Sequence, residues 1–166
     1  MNDIGINVVN FNPRVFYTIK KKCDETDKTS FHCHDFVSFF YVLSGGCTYN
    51  IDNCQYCARK GDIIICNPGI YHSKTIRTDE EVMEMQIGLG NIFVEGLPPN
   101  YLIDANACPV ISLPEYEQEF LKCISEIFYE QENNQPGSVL MLKVHVMKLL
   151  VTFLKATRMD MYIREN

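Results

Sequence analysis

The feature that most constrains this sequence is a series of short strand-like segments between residues 36 and 89. Gly, Asn and Pro recur between the segments at a spacing of roughly ten residues, and β-branched and aromatic residues dominate within them. Such a pattern is typical of an all-β sandwich or barrel. The segments read FVSFFYVL, CTYNID, QYCARK, DIIIC, YHSKTIR and EVMEMQIGL, and a turn is expected at residues 44–46 between the first two.

Two further strands are expected near the amino terminus, over residues 5–11 and 14–19, because both stretches are rich in β-branched and aromatic side chains. Residues 20–30 (KKKCDETDKTS) are polar and show no period, which favours a loop. The first two-thirds of the chain is therefore predicted to be mainly β.

Beyond residue 112 the apolar residues recur at the spacing of a helix. Phe120, Ile124 and Ile127 follow the S-x-x-E sequence at 112–115, which is typical of a capping box. The sequence NNQPG at 133–137 ends this helix, and a second helix is expected over residues 139–156. We therefore predict a β sandwich or barrel over residues 1–112 and a helical dimerisation element over residues 113–166.

The second helix is apolar over nearly its whole surface. Its polar residues, His145, Lys148, Thr152 and Lys155, fall in one narrow stripe. A helix of this kind needs two partners, and a chain of 166 residues has few elements to offer. We expect the second partner to be another copy of the chain, although both faces could also be covered within one chain. The expected interface residues are Leu142, Val146, Leu149, Leu150 and Phe153.

The charge balance argues against a nucleic-acid surface on this chain. There are 15 Lys and Arg against 21 Asp and Glu, which gives a net charge of −6. Binding to phosphates requires clustered basic residues. Any contact of the protein with DNA is therefore expected to lie outside this chain.

Cysteine content and the lack of targeting segments favour the cytoplasm. Eight cysteines in 166 residues fall below the density of a disulfide scaffold. No leader of basic and apolar residues follows Met1, and no apolar run reaches the length of a membrane span. The pair Cys54 and Cys57 has neither a second pair for zinc nor a helix start for redox chemistry, so the cysteines are expected to serve as buried thiols.

Three of the four histidines, His32, His34 and His72, are expected at strand ends in the β region. Alternate residues of a strand share a face, so His32 and His34 are predicted to point the same way, together with Ser38. Two strands of one barrel could bring His72 to them.

The residues around these histidines resemble a known family. HCHDFVSFFYVLSGG at 32–46 and GDIIICNPGIYHS at 61–73 resemble the two cupin motifs. More specifically, they resemble the N-terminal domain of AraC-family transcriptional regulators. In that family an H-x-H-D-aromatic strand leads into a Y-V-L-S-G turn, and a G-D-hydrophobic strand leads into N-P-G-x-x-H. The stretch FVEGLPPNYL at 93–102 and the two helices also fit, so the resemblance covers most of the chain.

The resemblance implies a mainly β, cupin-like (double-stranded β-helix, jelly-roll) barrel that binds a small molecule, followed by two C-terminal helices for dimerisation. Carbohydrate is the commonest effector class that it implies. In such regulators a separate C-terminal domain with two helix-turn-helix units binds DNA, and no such units follow residue 138 here. We therefore expect the sensor half of a transcription regulator, a homodimer without enzymatic activity.

The effector is expected to contact polar side chains that share the inner face of the strands. Glu84 has the same strand parity as Gln86 and is a further candidate. The expected ligand-binding residues are Arg14, His32, His34, Ser38, Tyr49, His72 and Gln86.

A metal site is the alternative. The metal-binding quartet of cupins would place its three histidines at His32, His34 and His72, but Ser38 or Phe39 occupies the position of its Glu. We therefore expect no metal or other cofactor. Three imidazoles alone can hold a catalytic zinc, so a small metal-dependent cupin enzyme remains the alternative, as does a purely structural role for the histidines.

Overall fold

The computed structural model describes residues 4–27 and 30–165, except for the side chains of residues 160–164. The chain forms two compact units. One comprises Phe11–Ser112 and contains the strands, and the other comprises Leu113–Asn166 together with the described part of the first ten residues. The sequence prediction placed residues 4–10 with the strands, whereas they belong to the helical unit.

All strand pairings among the described residues of the first unit are antiparallel. The strands are β1 (Arg14–Asp24), β2 (Val37–Ile51), β3 (Cys54–Arg59), β4 (Asp62–Cys66), β5 (His72–Thr75), β6 (Glu81–Gly90) and β7 (Val110–Ser112). Their order is β1-β6-β2-β4-β7, and β3 and β5 also pair with β2. The predicted all-β architecture is confirmed for this unit.

β2 belongs to two sheets. Its first half pairs with β4 and β6, and its second half pairs with β3 and β5. A register shift between Val42 and Ser44 marks a bulge at the change of sheet. Gly45 has a φ of +74°, and a Cβ there would lie 1.9 Å from the carbonyl oxygen of Glu81, so this position requires glycine. The predicted turn at residues 44–46 is wrong, because the glycine lets the strand bend without ending.

The inner faces of the two sheets form the core of this unit. The Phe40 ring, from the first half of β2, lies 5.7 Å from the Tyr49 ring in its second half. Both belong to a buried apolar cluster that includes Ile64 of β4 and Val82 of β6. The first six residues of β2 are all buried, as expected for a central strand covered on both faces.

Two predictions near the amino terminus are wrong. Residues 5–11 form turns and irregular chain, because the Asn7 side-chain oxygen accepts hydrogen bonds from the backbone N–H groups of Val9 (2.9 Å) and Asn10 (3.3 Å). β1 runs past its predicted end at residue 19, since residues 20–24 pair with residues 81–85 of β6. The polar stretch expected to be a loop from residue 20 is therefore strand up to Asp24.

The helical unit contains a short 3₁₀ helix (Pro114–Tyr116) and two packed α-helices, α1 (Glu117–Asn133) and α2 (Ser138–Glu165). α1 ends as predicted, at Asn134 in a left-handed conformation with a φ of 41°. The predicted capping box is wrong, because Ser112 is the last residue of β7 and no side chain caps the 3₁₀ helix. No helix among the described residues is long and apolar enough to cross a membrane.

α2 presents two apolar faces with different exposure. Val146, Leu149, Leu150 and Phe153 are fully buried in the single chain, and Leu142 is half-buried. These five are the residues predicted for the dimer interface. The four buried ones belong to the core of one chain, which corrects the prediction for them. Among the side chains of α2 that the structure describes, the large apolar residues that are exposed are Val139, Leu140, Met141, Val144, Val151 and Met159.

The polar stripe of α2 is only partly exposed. His145 Nδ1 lies 2.9 Å from Glu126 Oε2 of α1, and Thr152 is buried, with its hydroxyl donating to the Lys148 carbonyl oxygen at 2.8 Å. The stripe therefore contributes to packing between the two helices as well as to the surface.

All eight cysteines are free thiols. Burial raises the pKa of Cys47 and of Cys66 to about 12, so both are neutral core residues. The expectation of buried thiols is wrong for Cys54, Cys57 and Cys108, which are exposed. Cys54 and Cys57 are exposed because β3 buries only Ala58.

Candidate functional site

The strand unit contains an open cleft of about 520 Å³, a volume that includes solvent space outside its opening. Its walls come from β1, β2, β5, β6 and the segment that precedes β2, and most of its side chains are polar or charged. We call it the inner cleft; its lining residues are Tyr17, Lys21, His32, His34, Phe40, Tyr49, His72, Ser73, Lys74, Glu84 and Gln86.

Backbone hydrogen bonds bring the three histidines of the inner cleft together. The N–H of His32 donates to the carbonyl oxygen of His72 at 3.1 Å, and the N–H of His72 donates to that of His32 at 2.8 Å. One ring nitrogen from each of His32, His34 and His72 lies within 4.8 Å of the other two. The prediction that the three histidine side chains lie close together is therefore confirmed.

Hydrogen bonds of the ring nitrogens determine which nitrogen of His32 and of His72 is available to a ligand. His32 Nδ1 lies 2.6 Å from the Ser30 carbonyl oxygen, and His72 Nδ1 lies 3.0 Å from that of Ile70. A carbonyl oxygen only accepts, so each Nδ1 carries the proton and donates it. In the neutral ring Nε2 is then an acceptor, available to a ligand hydroxyl or to a metal ion.

Burial keeps the buried rings neutral. It lowers the pKa of His72 to about 4, against the opposing effect of the hydrogen bond to Ile70. Burial, and to a smaller extent the neighbouring His32, also lowers the pKa of His34. At pH 7 both His34 and His72 are neutral imidazoles.

A buried carboxylate organises the floor of the cleft. Glu84 is 0% exposed, and its Oε1 accepts hydrogen bonds from Lys74 Nζ and from Gln86 Nε2 (2.7 Å). Its Oε2 accepts from the Tyr49 hydroxyl at 2.5 Å. Burial and the Glu84 carboxylate raise the pKa of Tyr49 well above its usual value. Burial would lower the pKa of Lys74, but Glu84 more than offsets this, so the net shift is upward.

Aromatic packing fixes one wall of the cleft. The His34 ring stacks on Phe36 with centroids 4.5 Å apart, and Phe36 meets the Tyr17 ring edge-on at 5.8 Å. Gly88 makes this possible, because a Cβ there would lie 2.5 Å from Tyr17 Cε1 and 2.9 Å from Phe36 Cε2. The orientation of His34 therefore depends on a glycine in β6.

The structure brings five of the predicted ligand-binding residues, His32, His34, Tyr49, His72 and Gln86, into the inner cleft. Two lie outside its lining. Ser38 is buried within the β2 ladder, where it pairs with Cys66 and Gly88. Arg14 is exposed at the start of β1, and its guanidinium lies 5.1 Å from the centre of the Phe16 ring.

Lys21 and Lys74 also line the cleft, and the sequence prediction missed both. Lys21 was placed in a loop, whereas it lies in β1 four residues after Tyr17 and so on the same face. Lys74 lies two residues after His72 in β5, so strand alternation from that histidine was the signal that could have found it.

A second open cleft, of about 550 Å³, borders residues 101–109. Its buried polar side chain, Asn67, uses its amide to hold the backbone of this segment: Nδ2 donates to the Ile103 carbonyl oxygen at 2.9 Å, and Oδ1 accepts from Leu102 N–H at 3.0 Å. The side-chain amide of Asn67 therefore serves to hold the backbone of residues 102 and 103.

Comparison with solved structures gives cupins of low similarity. A cupin protein from Bacteroides fragilis is 16% identical, with 55% of this chain and 76% of that chain covered and a TM-score of 0.40. A structure described as a predicted oxalate decarboxylase, from Thermotoga maritima, is 14% identical, with 45% and 66% covered and a TM-score of 0.43. An RmlC-like cupin family protein with a double-stranded β-helix fold, from Methanocaldococcus jannaschii, is 7% identical, with 43% and 66% covered and a TM-score of 0.40. TM-scores this low say nothing about function.

Among the solved chains that this chain matches are three of which it spans only 46% to 66% of the length. No curated protein matches the sequence. The model of the AraC-like ligand binding domain family matches residues 18–150, which is well over half of the chain. The mainly antiparallel β, cupin-like fold followed by two C-terminal helices agrees with that match. The chain therefore belongs to the AraC-like ligand binding domain family.

Proposed function

We propose that this chain is the ligand-sensing and dimerisation domain of a cytoplasmic AraC-type transcription regulator, and that the inner cleft binds the effector, a small polar molecule such as a sugar. The observation that carries the proposal is the cleft itself, where polar groups held by hydrogen bonds line one open space. In this proposal the domain binds without catalysis and controls a separate DNA-binding domain. The net charge of −6 supports placing the DNA contacts elsewhere.

The chemistry of the lining suits a ligand with several hydroxyl groups. The Nε2 atoms of His32 and His72 accept hydrogen bonds, while the hydroxyls of Tyr17 and Ser73 can donate or accept. Because donors and acceptors line the cleft, it favours a hydroxylated ligand over an apolar one. An apolar ligand would leave buried polar groups unpaired, which would weaken binding.

Thermal unfolding with a panel of monosaccharides tests the proposal. D-Galactose, D-glucose, L-arabinose and D-xylose are suitable, since a ligand at a hundred times its Kd adds about 2.7 kcal/mol to the free energy of unfolding. His34→Leu changes the cleft wall and should abolish the response. Tyr71→Leu, at a half-exposed ring outside the lining, should keep it. Equal responses of both variants would contradict binding in the inner cleft.

The dimer part of the proposal rests on the exposed face of α2. Leu140, Val144 and Val151 lie on one side of the helix and are 67%, 44% and 36% exposed. Single exposed apolar residues are common, but an aligned set on one helix face is typical of an interface. We propose that this face, and not the buried residues first predicted, contacts a second copy.

Light scattering at micromolar concentration tests the dimer. Val144→Glu would place a charge in the proposed interface and should give a folded monomer. Ser125→Glu, at an exposed position of α1, is the matched control and should remain dimeric. A monomeric unmodified protein, or a dimeric Val144→Glu variant, would contradict the proposal.

A metal-dependent cupin enzyme is the second candidate, and the cluster of three imidazoles favours it. His32, His34 and His72 provide three nitrogens within 4.8 Å, and two of the rings donate Nδ1–H to backbone carbonyls, as metal-bound histidines commonly do. Three imidazoles with one open position suit Zn²⁺, which when bound would act as a Lewis acid. Glu84 already accepts three hydrogen bonds, so the set offers nitrogens only.

Equilibrium dialysis against Zn²⁺ tests this second candidate. Stoichiometric binding with a submicromolar Kd, lost in His34→Leu, would support a metal site. Binding that is weak, or equal in the unmodified protein and the variant, would contradict it.

A further inference from the structure

The inner cleft differs in charge from the rest of the chain. The sequence carries a net charge of −6, yet the charged residues of the lining are two lysines, Lys21 and Lys74, and one carboxylate, Glu84. Charges in a partly buried cleft are screened less than charges on the open surface. The net charge of the lining side chains therefore influences which ligands the cleft can bind.

Lys74 is neutralised within the cleft. Its side chain is 7% exposed and forms an ion pair with the fully buried Glu84. The Glu84 carboxylate also accepts hydrogen bonds from Tyr49 and Gln86, so three donors share its two oxygens. This cluster is internally satisfied and carries no net charge.

Lys21 provides the excess charge. It is half-buried and lies directly opposite Glu84 in the β1–β6 ladder, on the same face of β1 as Tyr17. The ion pairs found among the described residues join Lys22 to Glu81, Arg59 to Glu80, Lys74 to Glu84 and His145 to Glu126, and none involves Lys21. The inner cleft thus contains one ammonium group that a ligand can neutralise.

The imidazoles in the lining of the cleft require a different partner. Nδ1 of His32 and of His72 is hydrogen-bonded to a backbone carbonyl oxygen, which in the neutral ring leaves Nε2 as an acceptor. An acceptor lone pair repels a carboxylate and attracts a hydroxyl. The cleft therefore combines one cationic group with at least two groups that accept a proton from the ligand.

We propose that the inner cleft selects a polyhydroxylated carboxylate, that is, a sugar acid, whose carboxylate binds Lys21 and whose hydroxyls donate to His32 and His72. This inference rests on the proposed ligand-binding function and adds a ligand class to it. A neutral sugar would leave the Lys21 ammonium unpaired, and a simple carboxylate without hydroxyls would leave the imidazole acceptors unpaired.

Matched pairs of ligands test the proposal by calorimetric titration of the full chain. D-Galacturonate and D-glucuronate differ from D-galactose and D-glucose only at C6, where a carboxylate replaces a hydroxymethyl group. We expect at least one acid to bind about ten- to a hundredfold more tightly than its neutral partner, which is the range for hydrogen bonds with charged groups. The neutral methyl ester of D-galacturonate separates charge from size and should bind like the neutral sugar.

The variant Lys21→Met removes the charge and keeps most of the side-chain length. It should reduce the preference for the acid over the neutral sugar to less than about threefold. Lys20→Met is the matched control, since Lys20 is the next residue of β1, lies on the opposite face and is outside the lining. This control should keep the full preference. Thermal unfolding of both variants checks that they are folded.

Several results would overturn the inference. If neutral sugars bind as tightly as the acids, or if Lys21→Met keeps the preference, the sugar-acid assignment is wrong and the proposed sensor function stands. If D-glucose 6-phosphate binds more tightly than both uronates, the cleft takes a phosphate instead of a carboxylate. If neither sugars nor sugar acids bind, both the inference and the proposed function fail.

Discussion

The buried ion pair between Lys74 and Glu84 gives the sharpest prediction about the floor of the cleft. Lys74→Met removes the cation and leaves the Glu84 carboxylate, which is 0% exposed, without its counter-charge. Two unit charges about 4 Å apart interact by about 4 kcal/mol at an effective dielectric constant of 20. Loss of one partner of a buried pair typically costs about 3–5 kcal/mol.

The remaining hydrogen bonds place the expected value at the low end of that range. In Lys74→Met the carboxylate keeps its donors Tyr49 and Gln86, so we expect the free energy of unfolding to fall by about 3 kcal/mol. Glu84→Gln leaves a buried cation and should cost a similar amount. The double variant Lys74→Met/Glu84→Gln keeps an acceptor for Tyr49 and buries no charge, so it should lose clearly less than the two single losses added together.

Urea unfolding followed by circular dichroism at pH 7 measures these values. The exposed pair of Lys22 in β1 and Glu81 in β6 is the matched control, and Lys22→Met should change stability little. Two results would refute a strongly coupled buried pair. One is a fall in the free energy of unfolding of less than about 1 kcal/mol for Lys74→Met. The other is a double variant whose loss equals the sum of the two single losses.

Three further predictions concern His72, Gly45 and Asn67. The pKa of His72 is lowered to about 4 in the folded chain, so between pH 6.5 and pH 4 the unfolded chain binds a proton at His72 that the folded chain does not. The free energy of unfolding is therefore highest above pH 6.5, and it falls by about 3 kcal/mol as the pH drops towards 4. His72→Gln should flatten the dependence of the urea midpoint on pH, and an unchanged slope would contradict the burial argument. Gly45→Ala should lower the melting temperature by several degrees because its Cβ would collide with the Glu81 carbonyl, and an unchanged melting temperature would argue against the bulge. Asn67→Ala should cost about 1–3 kcal/mol in urea unfolding and speed amide exchange at Leu102, and slow exchange there would contradict the role assigned to its side chain.

Strand alternation predicted much of the site, and its failures have physical causes. His32 and His34 could be placed on one face from their spacing, and the partnership with His72 followed from two strand ends meeting. Lys21 was missed because a run of lysines looks like a loop when its partners are unknown. Its strand conformation depends on pairing with residues 81–85, a contact that no local pattern shows.

In two other elements the conformation or exposure also depends on contacts that the local sequence does not show. The glycines at 45 and 46 fit a turn as well as a bulge, and only the closeness of the Glu81 carbonyl to Gly45 makes the bulge necessary. The apolar surface of α2 was recognised from sequence, but which side is covered within one chain depends on tertiary packing. That is why the buried Leu149 and Phe153 were predicted for the interface in place of the exposed Val144 and Val151.

The most direct test of ligand binding in the inner cleft uses the four histidines of the chain as probes. His32, His34 and His72 line the cleft, whereas His145 lies in α2 and contacts Glu126. Nitrogen-15 NMR of the imidazole side chains during titration with D-galacturonate and D-galactose reports all four rings at once. The account predicts saturable shifts of the three cleft histidines and an unchanged His145 signal. Saturable binding that moves His145 and leaves the cleft histidines unchanged, or no response to either ligand, would contradict it.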